Sequence, residues 1–376
     1  MFSDKQKRIA KGVLAGVLVL FMILAPVFLF PNLLKQPAPN GNVLAGGSFL
    51  MLWQVETQEA GSGSIGAFLE RRAVEYEKAN KGTFIVTKRL TLGQLVLQLE
   101  NGYLPDLISF GLGAGEIIAP KLKEYTGASL VRPELAAAGR VGAKQMAVPW
   151  CMGGYMLAAK SGVLEDNQSV LEQALKTGSE QKNRIRYSLT LGGEHNVGLL
   201  GLLNTNSKAS VVGATNALHP EHLLQTQYKA YADFVSLPQS NILLGSQRDY
   251  ARLVNRERNG SMDPLRYEFL SGFSDIVNFM GVVSGDSAKQ AAARKFIEYL
   301  TGGAVQALLP SIGMFSVDGR QYYTQDGYRE FELALSTGLK TINVFTSSSR
   351  LNELRTLCLS VLMGQESARR ALGGLL

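Results

Sequence analysis

Few residues of this 376-residue chain could carry acid–base, nucleophilic or metal chemistry, and their spacing does not suit them to it. His195, His219 and His222 are the only histidines. His219-Pro220-Glu221-His222 does not set two imidazoles one helical turn apart, and no H-E-x-x-H occurs, so neither a zinc site nor a Ser-His relay is implied. Ser62 and Ser64 lie in Gly61-Ser62-Gly63-Ser64-Ile65-Gly66, which lacks the G-x-S-x-G spacing of a nucleophile elbow. A serine capping the helix that follows is the simpler reading. Glu56 and Glu59 form an acidic pair, but nothing fixes the separation that glycosidic cleavage needs. Gly111-Leu112-Gly113-Ala114-Gly115 follows a strand and precedes a helix, where a nucleotide-binding turn would sit. It is not G-x-G-x-x-G, and no acidic residue ends a strand about twenty residues on. The sequence therefore implies no catalytic set, metal or cofactor.

The aromatic residues are more informative. Trp53 ends the first apolar strand, and Trp150 and Tyr155 flank the turn at 151–154. All three fall where a ligand crevice is expected. Aromatic faces stack on apolar faces of a solute such as a sugar ring, while their edges keep polar contacts. Each is equally compatible with a core position.

These residues are carried on alternating strands and helices. Apolar runs at 48–55, 83–86 and 104–110 read as strands, and amphipathic spacing over 65–80, 92–99 and 116–125 reads as helices. Lys81-Gly82 stops the first helix. Such alternation implies a largely parallel sheet covered on both faces, with ligands bound beyond the strand C-terminal ends. The rhythm changes after Ala147, where 147–151 and 153–159 read as a strand pair or a crossover. Further strands are expected at 186–191, 241–244 and 276–283, and helices at 247–258, 288–300 and 348–363.

The first twelve residues carry Lys5, Lys7, Arg8 and Lys11 against Asp4. Val13 to Phe30 is then uncharged, and 18 residues of helix span about 27 Å, close to a bilayer core. The basic excess before it places the N-terminus in the cytoplasm and the body outside. The bulky Phe28-Leu29-Phe30-Pro31 end suits an uncleaved anchor better than a cleaved signal, although a cleaved signal stays open. No Cys precedes Cys151, so no lipoprotein signal is present. Residues 35–47, rich in Pro and Gly, read as a tether. Of the net +7, the head supplies +3 and Lys35 one, which leaves +3 on the body, too little to argue for nucleic acid. Cys151 and Cys358 are the only cysteines, and sequence leaves their pairing open.

Several segments resemble the extracellular solute-binding family, the substrate-binding components of bacterial ABC importers that mostly take saccharides. Glu75-Tyr76-Glu77-Lys78-Ala79-Asn80-Lys81-Gly82 before a strand is similar to that family's F-E-K-x-N-P-G-I-x-V, with Lys81 where Pro is usual. Gly102 to Ile108 matches G-x-x-P-D-L-I. Ala147-Val148-Pro149-Trp150 resembles the segment before the first interlobe crossing. Gly245-Ser246-Gln247-Arg248-Asp249 is similar to a G-T-Q-R-D helix start, and Lys295 to Leu300 and Ile312 to Val317 resemble the late helix and the return to the second lobe.

The resemblance covers most of residues 48–320 and implies an α/β, two-lobed periplasmic-binding-protein-like fold with hinge crossings, preceded by one transmembrane helix. It divides the chain into a cytoplasmic head (1–12), an anchor (13–34), a linker (35–47), a first lobe (48–155 and 270–310) and a second lobe (156–269 and 311–376). It implies a non-enzymatic, membrane-tethered protein whose lobes close on a small solute, a saccharide in most of the family, and pass it to importer permease subunits. The ligand residues so implied are Trp53, Gly111, Trp150 and Tyr155 from the first lobe and its edge, and Gln247 and Arg248 from the second. Phe273 and Phe315 lie near the recrossings. Helix capping and a surface pair are the alternative for Arg248 and Asp249. The retained helix and short body depart from the family, so a sensory or scaffold ectodomain acting through a protein partner is the rival.

Overall fold

The computed structural model describes residues 48–161, 170, 188–191, 198, 223–225, 230–238, 240–336 and 338–362. The expected anchor and tether, and all three histidines, lie outside the described residues. Among the described residues no helix is long and apolar enough to cross a membrane. Ser48–Leu376 forms one compact unit.

In chain order the strands are β1 (Ser48–Val55), β2 (Thr83–Leu90), β3 (Leu107–Phe110), β4 (Arg140–Val141), β5 (Lys144–Gln145), β6 (Ala147–Met152), β7 (Tyr155–Ala159), β8 (Ser188–Leu191), β9 (Leu223–Gln225), β10 (Ser240–Ser246), β11 (Arg266–Phe269) and β12 (Val277–Val282). The described α-helices are α1 (Ile65–Ala79), α2 (Leu92–Glu100), α3 (Gly115–Ile118), α4 (Pro133–Ala137), α5 (Ala230–Ser236), α6 (Gln247–Arg258), α7 (Ser287–Thr301), α8 (Gly303–Gln306), α9 (Asp326–Ala334) and α10 (Ser348–Leu362).

Among the described residues two five-stranded sheets carry the fold, in the orders β2-β1-β3-β12-β6 and β11-β7-β10-β8-β9. In the first, β1 pairs parallel with β2 and β3, while β12 runs antiparallel to β3 and β6. Strand β1 alternates as a pleat requires. Leu50 and Leu52 pack with Ile65 and Phe68 of α1 and Phe296 of α7. Trp53 and Val55 face the opposite core with Leu90 and Leu95. That second core continues through the hinge to Met156, Leu243 and Phe331 around the other sheet.

The chain passes between the sheets at Met152–Tyr155 and again from β11 to β12. Met152 bridges Phe315, Gly153 N–H donates to Ile276 O at 2.6 Å, and Phe273 bridges Lys340, so the crossings are laced to each other. Residues 343–348 follow the last crossing yet lie against elements of the first sheet. Val344 N–H donates to Ala138 O, and Ser348 N–H donates to the Glu116 carboxylate, each at 2.9 Å.

The expected helix over 116–125 is shorter than its periodicity suggests. It is a four-residue α3 and a single 3-10 turn at Ala119–Lys121. Pro120 removes a helical donor, and Lys123 N–H bonds Val282 O at 2.8 Å, drawing the chain out into the sheet. Cys151 and Cys358 are both buried free thiols, so the open question of their pairing resolves against a disulfide.

Leu309, Ile312 and Met314 pack in the core of the first sheet, so this stretch belongs with the first lobe and the boundary expected at 311 falls too early. The loop after β1 is pinned to it by backbone contact. Ser62 N–H donates to Ile312 O at 2.8 Å, and Gly61 and Gly313 touch main chain to main chain. Gly313 has φ of +65°, and a Cβ there would lie 2.8 Å from the Gly61 Cα. Gly313→Ala therefore combines a left-handed backbone with a clash that no rotamer relieves, and is expected to cost about 1–3 kcal/mol. Denaturant unfolding of the variant beside wild type checks this through a lowered midpoint.

Candidate functional site

Beyond the C-terminal end of β1 the chain turns through Glu56-Thr57-Gln58-Glu59-Ala60 and enters α1. Ser64 caps α1, its hydroxyl accepting from Ala67 N–H at 3.3 Å, as expected for a serine at this place. Opposite, β10 of the second sheet runs directly into α6. Ser246 and Asp249 close a reciprocal capping box there: Ser246 Oγ accepts from the Arg248 backbone N–H at 3.3 Å, and Asp249 Oδ2 accepts from Ser246 N–H at 3.0 Å. Capping thus accounts for Asp249. The Arg248 side chain does not join it and turns across the cleft toward Glu59.

A pocket of about 390 Å³ lies between these two segments. Its walls are residues 56–60 and 63–65 from the first lobe and Arg248 from the second. No aromatic side chain is among them. Arg248 Nε stands 2.8 Å from Glu59 Oε2, but its N–H is not aimed at the carboxylate, so the attraction is one of charge. Thr57 Oγ1 and Gln58 Nε2 are buried atoms without a hydrogen-bond partner among the described residues. Burial raises the Glu56 carboxyl above its usual range, with nearby Arg89 opposing the shift.

Gln247 is 1 % exposed and ties the site together. Its backbone N–H donates to Gly154 O at 3.0 Å, and its Oε1 accepts from Gly154 N–H at 3.2 Å. Its Nε2 donates to Glu59 O at 3.0 Å and lies 3.5 Å from Met314 Sδ. A Cβ on Gly153 would meet the Gln247 amide at 2.3 Å, so the first crossing needs glycine for this side chain to fit.

The residues expected at the site divide into two groups. Gly111, Gln247 and Arg248 come together at the cleft. Gly111 backs the loop, since a Cβ there would lie 2.6 Å from Thr57 Oγ1. The five aromatics are placed in packing instead. Trp150 is fully buried, stacked 14° from parallel on Phe68, and donates to Ser109 Oγ at 3.0 Å. Trp53 is 3 % exposed beneath Lys88, whose Nζ is 5.6 Å from its ring centroid.

Tyr155 sits in the hinge and donates its hydroxyl to buried Asp275. Burial, and next the Asp275 charge, push its phenol well above the ordinary value, so it stays a neutral donor. Phe273 is buried in the second crossing, and Phe315 packs on Tyr323 and Phe331. Sequence reasoning missed Glu56, Thr57, Gln58, Glu59 and Ser64 as wall residues. Their signal was position, a polar glycine-rich turn beyond a first strand that pairs parallel on both sides.

No protein-family sequence model matches the chain, and no curated protein sequence is significantly similar to it. Solved structures do match. The sugar-binding protein MalE of Xanthomonas citri aligns with a TM-score of 0.59 at 14% identity, covering 87% of this chain and 95% of that one. The GacH receptor of Streptomyces glaucescens, solved unliganded and with acarbose, aligns with a TM-score of 0.57 at 15% identity, covering 87% and 96%. An ABC substrate-binding protein of Listeria monocytogenes, solved with cycloalternan, gives 0.52 at 14% identity, covering 87% and 97%. The chain therefore has the two-lobed periplasmic-binding-protein-like fold of these receptors.

The burial of Trp53 and Trp150, the only tryptophans, has a spectroscopic consequence. Their emission should be blue-shifted, and iodide should barely quench it in the native protein while quenching it strongly after denaturation. Ready quenching of the native protein would show that one of the rings is open to solvent.

Proposed function

We propose that the chain is a non-enzymatic solute receptor that captures a compact polyhydroxylated solute, a saccharide, between its two lobes. The observation that carries this reading is the pocket at residues 56–60, 63–65 and Arg248, lined by residues of both lobes. A ligand contacting both lobes binds the closed arrangement more tightly than the open one, which is what makes closure ligand-dependent. Thr57 Oγ1 and Gln58 Nε2, buried beside Gly111, each carry a desolvation cost that a ligand hydroxyl reaching them would offset. Hydroxyls both donate and accept, and so suit a wall that offers Thr57, Gln58, Ser64 and a carboxyl at Glu56 together. The sugar-binding receptors of the same fold support the saccharide class.

In this reading residues 13–34 hold the chain in a membrane as a single pass, with the body extracellular. The linker at 35–47 keeps that body close to ABC importer permease subunits, which take the solute. A tether raises the effective concentration of receptor at such a partner without any new contact.

Calorimetric titration with a panel of neutral mono- and oligosaccharides tests the reading. At least one glycan should bind, and Thr57→Val or Gln58→Ala should weaken it about tenfold or more, since each leaves a ligand hydroxyl unpaired. Absence of binding across the panel, together with recovery of a stable membrane complex by pull-down, would favour the sensory or scaffold role instead.

A further inference from the structure

The cleft is spanned by contacts that need no solute. The loop carrying Glu59 cannot follow the second lobe, because Ser62 N–H is bonded to Ile312 O and Gly61 abuts Gly313. Gln247 and Arg248 cannot follow the first lobe, because α6 grows directly from β10 and Gln247 is bonded to Gly154 at the base of β7. Opening the lobes must therefore part Gln247 Nε2 from Glu59 O, now at 3.0 Å, and Arg248 from the Glu59 carboxylate, now at 2.8 Å. Asp249 Oδ2 is held in the cap of α6, while its Oδ1 lies 3.9 Å from Arg252. The pair stands at the rim, with the Glu59 side chain 64% exposed and that of Arg248 26% exposed, so salt reaches it.

We propose that Glu59 and Arg248 form a closure latch that biases the lobes shut before solute arrives, with Gln247 as its positioning residue. The inference concerns the pocket proposed above as the solute site, but the latch acts in the ligand-free protein. A pre-closed population removes part of the cost of closure from the ligand. It also slows entry, since solute must wait for the pair to part. Because the pair is ionic and exposed, rising ionic strength should populate the open form. Exposed pairs of this kind shift an equilibrium by about two- to fivefold.

The test measures lobe separation without any ligand. Spin labels at Lys78→Cys on α1 and Arg258→Cys at the end of α6, both exposed positions, report the distance by pulsed electron resonance on the full chain in mild detergent. Cys151 and Cys358 are buried and should stay unlabelled in the folded protein. Glu59→Gln and Arg248→Gln should each raise the long-distance population about two- to fivefold, as should 1 M salt on the parent. The exchange Glu59→Arg with Arg248→Glu should restore the short distance. Distance distributions unmoved by salt and by both single changes would overturn the latch, as would an exchange that stays as open as the singles. Neither result bears on whether the protein binds saccharide, which calorimetry reads separately.

Discussion

The cleft depends on one side-chain amide. Gln247 is almost wholly buried where the first crossing, the last crossing and the loop after β1 converge, and its two ends bond to the first crossing and to the first-lobe loop. Its carbonyl oxygen holds it to Gly154 and its nitrogen reaches Glu59 O. A buried amide must fill these valences or carry their desolvation cost. The first is satisfied in any lobe arrangement, because Gln247 and Gly154 belong to adjoining strand ends. The second spans to the first-lobe loop, and in the proposed latch it is the bond that opening would break. Lobe position is thereby linked to a buried hydrogen bond, and Arg248, the next residue, adds a charge contact on the wet side of the same place.

The surroundings are arranged around that constraint. Gly153 leaves the volume that the amide occupies, Gly111 leaves the volume behind Thr57, and the Gly61–Gly313 contact fixes the loop in height. Each removes a side chain where main chain or amide must approach closely. The pocket wall that results mixes polar side chains with Ala60 and Ile65 and includes no aromatic ring. Recognition in such a site rests on satisfying hydrogen-bonding groups rather than on stacking. It discriminates strongly between a ligand that completes those bonds and one that does not.

Much of the fold was legible in the sequence because the relevant signals are local. The run Ser48–Val55, the Ser64 cap, the Lys81-Gly82 stop and the Ser246/Asp249 cap all mark element ends through their own chemistry. The helix after Gly115 was overestimated because its apolar spacing persists past Pro120, while a tertiary hydrogen bond from Lys123 ends it. The site was half legible. Arg248 and Gln247 stand at a recognisable strand-to-helix turn, whereas Trp53 and Trp150 drew attention by type and lie buried in packing. Which face of a doubly covered strand a tryptophan takes is set by pleat parity and by what lies above it. For Trp53 the cover includes Leu90 and Leu95, and for Trp150 it includes Phe68, contacts that no local pattern announces.

The account's central claim is that solute is held between the loop at 56–65 and the start of α6. Hydrogen–deuterium exchange with and without a binding saccharide tests it most directly. The account predicts added protection in the peptides covering 56–65 and 245–250, with little change in the outer strand β2. Protection confined to other regions, with both of these segments unchanged at saturating ligand, would contradict it.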